Sequence, residues 1–264
     1  MALSLTPLFS GSSGNAILVS SGRSKILIDA GVSGKRMEEA LHGIGETIDD
    51  IKGILITHEH SDHIQGAGIL SRRHNIPVFA NALTWEACGD KMGSVRSALA
   101  RVIGKDSFYI DDLLIEPFEI SHDAADPVGY CVACGHSRLA VATDLGYFPQ
   151  AVEYRLHACD LVLLEANHDL EMLSAGRYPY DLKQRIKSRR GHLSNDDAAD
   201  AAVKLVCAGV SSILLGHLSK ENNSEHLAFR TVTDALMAQG LTPGQDVNLG
   251  LAFRDRVTGR FHIR

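Results

Sequence analysis

Four potential metal ligands lie within six residues, directly after the apolar run 53–56: His58, His60, Asp62 and His63. If the strand formed by this run stays extended through His60, its period of two residues directs His58 and His60 to one side, where two neutral imidazoles can hold a divalent ion. The apolar spacing of residues 64–70 predicts a helix that begins near His63 and turns Asp62 and His63 toward a second position. The segment therefore predicts two adjacent metal sites.

The alternative interpretation is a chance grouping of polar residues, and with 13 histidines in 264 residues a single His-x-His pair would deserve it. The density of this cluster argues against chance, because unpaired His and Asp side chains buried at a strand end would cost several kcal/mol without a metal or partners. The spacing also differs from the helical H-E-x-x-H motif, in which a glutamate between the histidines is a base. A metal centre is the favoured hypothesis.

The order His-x-His-x-Asp-His after an apolar strand resembles the metallo-β-lactamase fold superfamily of metallohydrolases. The other motif positions of that family are present in the expected order, each at the end of an apolar run: Asp29, His122, Asp144 and His217. The resemblance covers nearly the whole chain and implies an α/β fold, a four-layer αββα sandwich of two packed mixed β-sheets flanked by helices. We expect residues 1–264 to form a single domain of this kind.

The resemblance implies three ligands for each of two divalent metal ions: His58, His60 and His122 for one, and Asp62, His63 and His217 for the other. Asp144 would bridge the ions, and Asp29 would be a buried structural carboxylate that orders the ligand loop. The expected centre is a pair of ions about 3.5–4 Å apart that share a hydroxide. Zinc is the expected metal, and manganese or iron also suits carboxylate-rich pairs.

Composition agrees with a cytoplasmic protein that has no membrane association. Residues 1–7 lack the features of a signal peptide, and no apolar run reaches the roughly 18 residues needed to span a bilayer. Five cysteines, an odd number in a long chain, argue against a disulfide framework. Cys131 and Cys134 fall in a predicted strand, where residues three apart face opposite sides and cannot easily chelate one metal together.

The order of predicted elements suits two face-to-face sheets with helices outside. Residues 15–19 and 24–29 predict a hairpin, which a helix containing Met37 and Leu41 follows. The second half alternates between the two types of element: helix 149–159, strand 161–165, a helix from Ser194, strand 213–215, a helix after Ser224 and strand 247–253.

The metallo-β-lactamase fold hosts thioesterases, lactonases, β-lactamases, phosphodiesterases and nucleases, so the fold alone does not fix the substrate. Most zinc β-lactamases of the superfamily have a Cys in place of the bridging Asp144, which disfavours that activity here. Four segments resemble the WalJ/YycJ-type subgroup, which is described as DNA exonucleases: residues 10–15, 164–169, 190–195 and 217–223. This resemblance implies a dinuclear metal-dependent phosphodiesterase, a DNA exonuclease in which a metal-bridged hydroxide attacks phosphorus.

A basic run precedes His192 and a new helix, with five cations in eight residues: Lys183, Arg185, Lys187, Arg189 and Arg190. A basic helix end that leads into a helix N-terminus can collect phosphate oxygens, although a charge run is usually a solvated face. We expect substrate contacts from four residues: Arg189, Arg190, Ser194 and Asn167. The net charge of −6 means that any contact with nucleic acid is local.

Three residues are candidates for catalysis. Asp62 or the bridging Asp144 would orient the attacking hydroxide, and His192 or His168 would protonate the departing sugar oxygen, since His titrates near neutral pH. The alternative is that each of these histidines only satisfies hydrogen bonds near the ligand loops. A small-molecule hydrolase of a cyclic phosphodiester, lactone or thioester stays open as well, and the complete ligand set disfavours a non-catalytic binding module. Charge reversal at Arg189 and Arg190 would leave the small-molecule enzyme unaffected.

Overall fold

The computed structural model describes residues 3–263, which form two β-sheets and the helices that cover them. In chain order the strands are β1 (Ser4–Gly11), β2 (Gly14–Ser20), β3 (Lys25–Ile28), β4 (Ile51–Leu55), β5 (Val78–Asn81), β6 (Ala100–Ile103), β7 (Phe108–Ile110), β8 (Leu113–Glu119), β9 (Val128–Cys134), β10 (Ser137–Ala142), β11 (Leu161–Glu165), β12 (Ser212–Gly216), β13 (Asn248–Leu251) and β14 (Phe261–His262). The α-helices are α1 (Gly34–Gly43), α2 (Ser61–Ile64), α3 (Ala67–His74), α4 (Ala82–Cys88), α5 (Gln150–Leu156), α6 (Leu170–Ala175), α7 (Tyr180–Lys187), α8 (Asn195–Cys207) and α9 (Glu225–Ala238). Within the described part of the chain, no helix has the length and apolar character needed to cross a membrane.

Each sheet combines antiparallel and parallel strands. The first has the order β14-β1-β2-β3-β4-β5-β6, antiparallel up to β3 and parallel from β3 to β6. The second has the order β13-β12-β11-β10-β9-β8-β7, parallel from β13 to β10 and antiparallel from β10 to β7. Parallel neighbours end at the same edge, which is where ligands bind in sheets of this kind. The edge at the ends of β3, β4, β10, β11 and β12 is therefore the place to look for a site.

Apolar layers hold the sandwich together. Inward-facing residues of both sheets pack against each other, with Tyr130 as the largest fully buried side chain. A second layer, which includes Met37 and Leu70, joins the first sheet to α1 and α3. A third, which includes Leu205 and Leu236, joins the second sheet to α8 and α9. The predicted αββα sandwich of two mixed sheets is confirmed.

Most predicted elements are present, but four strands were not predicted: β1, β6, β7 and β14. The hairpin is confirmed, because β2 and β3 pair antiparallel, and strand 161–165 coincides with β11. The helix from Ser194 is α8, which begins with a capping box between Ser194 and Asp197. No strand was predicted before residue 15, yet β1 lies there. Pro7 lacks an N–H and lies at a bulge in the pairing of β1 with β2, which hides the regular strand pattern.

The ligand segment after β4 is a loop and a short helix. The premise that the strand stays extended through His60 was wrong, because β4 ends at Leu55. The helix begins at Ser61, two residues earlier than predicted, with His60 at its N-cap position. His58 and His60 still lie together, with 3.0 Å between His58 Nε2 and His60 Nδ1, because the loop turns both rings to one side.

Cys131 and Cys134 lie on opposite faces of β9, as predicted. Cys131 belongs to the layer beneath the helices, where its Sγ is 4.0 Å from that of Cys159. Cys134 packs against the layer between the sheets. The two thiols therefore do not form one metal site.

Candidate metal centre

The loops that follow the strands converge at one edge of the sandwich. Asp29 follows β3, Asp144 follows β10 and His217 follows β12. All three have a backbone in the left-handed region, with φ of 61°, 61° and 54°. This conformation is strained for residues other than glycine, and strain of this kind persists where the surrounding structure enforces it, often at functional sites. The backbone alone therefore marks this edge as a candidate site.

Two groups of three side chains bring their ligand atoms together at this edge. Within each group the candidate atoms lie within 4.8 Å of one another: His58, His60 and His122 in the first group, and Asp62, His63 and His217 in the second. Asp144 lies between the groups, with Oδ1 3.7 Å from His122 Nε2 and Oδ2 3.5 Å from His63 Nε2. The structure thus brings together every residue predicted as a metal ligand.

Two atoms of this cluster are buried without a hydrogen-bond partner among residues 3–263. These atoms are Asp144 Oδ2 and His217 Nε2, and both residues are almost completely buried. An unsatisfied buried polar atom costs about 1–3 kcal/mol, and a cation between the two groups would satisfy both. Imidazole and carboxylate donors suit divalent transition metals. The residues present therefore fit a divalent metal centre.

The electrostatics of the cluster favour a cation. Burial, assisted by the nearby His63, lowers the pKa of His58 well below its usual range, so that His58 is a neutral imidazole with a free lone pair. Burial also acts against charge on His63, but the carboxylates of Asp29 and Asp144 outweigh it and raise the pKa of His63 to about 10. The negative electrostatic potential that holds a proton on the His63 ring also attracts a metal ion. The metal ion and the proton compete for this ring.

Asp29 lies beneath the ligand loop and belongs to neither ligand group. Its carboxylate accepts hydrogen bonds from Thr57 N and Thr57 Oγ1, both at 2.9 Å. It also lies 2.7 Å from His63 Nδ1. A proton on Nδ1 satisfies this contact and leaves Nε2 of His63 for a metal. Asp29 therefore orders both the loop and the ring.

Glu165 is a site residue that the sequence analysis missed. It is fully buried at the end of β11, and its Oε2 accepts hydrogen bonds from two backbone N–H groups at 2.7 and 3.2 Å. Its Oε1 lies 2.8 Å from Nδ1 of both His192 and His217. Burial acts against its charge, but these two histidines outweigh burial and lower the pKa of Glu165 to about 2. The sequence feature that could have identified Glu165 is an acidic residue at the end of an otherwise apolar strand. Asp29 has a similar place, directly after β3.

His192 lies beside both ligand groups and lines a cleft. Its ring centroid is 5.0 Å from that of His122 and 5.3 Å from that of His217. The cleft has a volume of about 190 Å³, and we call it the His192 cleft. Because Nδ1 of His192 contacts Glu165, its Nε2 is left for another partner. A histidine held in this way is placed to exchange a proton with a molecule in the cleft.

The other polar residues predicted near the substrate have different surroundings. His168 belongs to neither ligand group; it is buried, which lowers its pKa to about 4, and its Nδ1 has no partner within residues 3–263. Ser194 donates to Asp197 Oδ2 at 2.6 Å as part of the helix cap. Asn167 donates to His217 O at 3.0 Å and lines the His192 cleft. Of the three, only Asn167 lies at the wall of this cleft.

The basic run divides between two sides of α7. Lys183 and Lys187 both donate to Ser174, each at 2.8 Å. Arg185 instead pairs with Asp123 and lines the His192 cleft. The helix therefore turns only one of its cations, Arg185, toward the metal centre.

Arg189 and Arg190 follow α7 and pack against the ligand loops. The Arg189 guanidinium lies 4.0 Å from the ring centroid of Tyr147. Arg190 Nε donates to His122 O at 3.3 Å. Gly146 permits this packing, since a Cβ there would lie 2.2 Å from Arg189 O. Neither arginine lines the His192 cleft, and their contact with substrate stays a prediction.

Comparison with known proteins identifies the class. The sequence profile of the Beta-lactamase superfamily domain matches residues 24–217, a span that includes both ligand groups, and the chain belongs to this family. The exodeoxyribonuclease YycJ of Bacillus anthracis is 39 % identical over 246 residues, 93 % of each chain. The exodeoxyribonuclease WalJ of Streptococcus pneumoniae serotype 2 is 41 % identical over 243 residues, 90 % of each chain. The crystal structure of the metallo-β-lactamase fold protein YhfI from Bacillus subtilis shares the fold, with a TM-score of 0.71, 15 % identity and full coverage of both chains.

Proposed function

We propose that the protein is an exodeoxyribonuclease that depends on two divalent metal ions. The observation that carries this proposal is the complete donor set, with two groups of three ligands and Asp144 between them. Relatives that match at least 90 % of the chain are named exodeoxyribonucleases. A hydrolase with such a centre is suited to phosphodiesters, because each cleavage requires both an activated water and neutralisation of phosphate charge.

Each ligand group would hold one ion, and zinc suits the histidine-rich donors, with manganese or iron as alternatives. When bound, the ions supply the positive charge that activates water as the nucleophile and stabilises the developing charge on phosphate oxygens. Asp144, which lies between the two groups, would contribute ligand oxygens to the ions. Asp62 is the most exposed carboxylate of the cluster, with 23 % of its side chain accessible, and we assign it the orientation of the water.

His192 acts as the proton donor to the departing sugar oxygen. Its Nδ1–H donates to Glu165, so the proton that is transferred is the one on Nε2, the nitrogen left for a molecule in the cleft. The buried carboxylate of Glu165 stabilises the charged ring and fixes its orientation, as the acidic member of a catalytic triad does. Within residues 3–263 the buried His168 has no such carboxylate contact, and we assign it no part in this step.

Hydrolysis of end-labelled duplex DNA, single-stranded DNA and RNA by the metal-loaded protein tests the proposal. We expect nucleotide release from DNA by the wild type and its loss in Asp62→Ala and His63→Ala, with the far-UV circular dichroism unchanged. Asp106→Ala, which removes an exposed carboxylate from a loop distant in sequence from every ligand, is the matched control and should keep full activity. Full activity of both ligand variants would refute the proposal, and inactivity of the metal-loaded wild type on all three polymers would point to a small ester or phosphodiester substrate.

A further inference from the structure

Two clefts open above the metal centre and share one wall. The His192 cleft lies on one side. A second cleft of about 390 Å³, which we call the Asp62 cleft, is lined by His60, Asp62 and Lys91. Arg185 is the one residue that lines both. A strand that passes from one cleft to the other would therefore run beside the Arg185 side chain.

The His192 cleft has walls of two chemical types. One wall is apolar and comes from the segment that leads into and forms α7, with Tyr178, Leu182 and Ile186. The rest of the lining is largely polar and includes Asn167 and Ser219, both nearly fully buried. An aromatic and aliphatic surface combined with hydrogen-bonding groups is what nucleotide-binding proteins use for bases and sugars.

The size of this cleft limits what enters it. At about 190 Å³ it is smaller than the ~300 Å³ at the lower end of typical pockets for drug-sized ligands. One unstacked nucleotide is the appropriate scale, whereas a base pair or two successive nucleotides are too large. A cleft of this size suits attack at a chain end, because it has room for one unit and not for a continuous strand.

Arg185 is held in place at the shared wall. Its Nε donates to Asp123 Oδ2, and the other oxygen of Asp123 lies 3.2 Å from His122 Nε2, a metal-ligand atom in the proposed centre. The Arg185 side chain is 58 % exposed, so its remaining N–H groups are available to a ligand. A planar guanidinium with free donors suits a phosphate better than the point charge of a lysine does.

We propose that the His192 cleft binds the terminal nucleotide of the DNA, with its base against Tyr178, and that Arg185 binds the phosphate joining this nucleotide to the rest of the strand. This inference rests on the proposed exonuclease function and adds to it the site that binds the end of the DNA strand. The Asp62 cleft, with Lys91 at its wall, then receives the strand that remains after each cut.

The terminal base provides the first test. The metal-loaded wild type is given two oligonucleotides that differ only in whether the terminal nucleotide carries a base or is abasic. We expect kcat/KM to be higher for the normal end by roughly 5- to 150-fold, the range that stacking of one base on an aromatic side chain produces. The preference should fall close to one in Tyr178→Ala and persist in Tyr178→Phe. Equal rates on both ends in the wild type, or an unchanged preference in Tyr178→Ala, would overturn the proposal.

Arg185 provides the second test, with Lys187 as its matched control, because both cations lie on α7 but Lys187 bonds to Ser174. Arg185→Ala should raise KM for DNA about tenfold and reduce the slope of log KM against log salt by about 1, as loss of one phosphate contact does. Lys187→Ala should change neither quantity appreciably. Equal effects of the two variants would mean that charge alone is involved and would refute the assignment to Arg185.

Binding separates failure of this inference from failure of the proposed function. The same oligonucleotides, with a phosphorothioate as the last linkage, are titrated into the metal-loaded protein, and fluorescence anisotropy reports affinity without turnover. Weaker binding of the abasic end in the wild type but not in Tyr178→Ala would support the cleft assignment even if hydrolysis were absent. Equal affinity for both ends, in a wild type that does release nucleotides, would reject the cleft assignment alone.

Discussion

Glu165→Gln tests how the centre is organised, because the change keeps the shape of the side chain and removes its charge. Glu165 meets donors at both oxygens, with two backbone N–H groups on Oε2 and the Nδ1 atoms of His192 and His217 on Oε1. A glutamine has a single oxygen, so one pair of donors must face its NH₂ group. The backbone N–H groups cannot change, whereas an imidazole can move its proton from Nδ1 to Nε2.

The expected result follows from that proton shift. With the proton on Nε2, His217 no longer presents a lone pair to the metal, and the group of Asp62, His63 and His217 loses a ligand. Loss of such an orienting partner typically costs 10–100-fold in metal affinity, or about 1.4–2.7 kcal/mol. The other group, His58, His60 and His122, makes no contact with Glu165 and should keep its affinity. We therefore expect one of two bound equivalents to weaken.

Competition with a chromophoric chelator measures both affinities in one titration. Glu116→Gln is the matched control, since it makes the same chemical change at a residue outside the site. Glu116 lies on β8 and forms an ion pair with Arg138 on β10. The control should bind metal as the wild type does, although it loses a partly buried ion pair. Two equivalents of wild-type affinity in Glu165→Gln would refute the argument that this carboxylate sets the tautomer of His217.

Three further outcomes are expected. Gly31→Ala should destabilise the protein by about 1–3 kcal/mol in chemical denaturation and weaken metal binding, because a Cβ at Gly31 would lie 1.6 Å from Asp62 O. The control is Gly43→Ala on α1, where nothing lies within 4 Å of the added Cβ, and it should be neutral or slightly stabilising. Asp29→Asn should lower the free energy of unfolding by about 3 kcal/mol, because it breaks a buried contact with His63. The backbone adds no strain of its own to this variant, since asparagine tolerates the left-handed conformation of Asp29. Wild-type stability of the variant would contradict this account. Removal of metal by a chelator should lower the thermal midpoint. The stability lost is about 4 kcal/mol for each bound ion, relative to protein in free metal at 1,000 times the Kd of that ion. An unchanged midpoint would argue against a metal bound to the folded state.

Much of the fold and the ligand set could be predicted from the sequence, because both depend on local patterns. Apolar runs gave most of the strands, and the dense segment from His58 to His63 marked the metal centre. The family resemblance then supplied Asp144 and His217, which lie far away in the chain. The structure brings these residues together because each one follows a strand that ends at the same edge.

What the sequence did not show depends on long-range packing. The left-handed backbone of Asp144 and His217 is imposed by the surrounding loops and has no local sequence signature. Glu165 looked like the end of a strand, and its role depends on histidines 27 and 52 residues away in the chain. The basic run seemed uniform, and only the rotation of α7 shows that Arg185 faces the clefts while Lys187 does not.

The central claim is that this centre hydrolyses DNA from its ends. The most direct measurement compares two forms of one DNA sequence, linear and covalently closed circular, each incubated with protein that carries two equivalents of metal. Our account predicts that mononucleotides accumulate from the linear form, that the circle stays intact, and that Asp62→Ala releases nothing from either. Cleavage of the circle at a rate similar to that of the linear DNA would contradict the account, because a circle has no terminal nucleotide for the His192 cleft to bind.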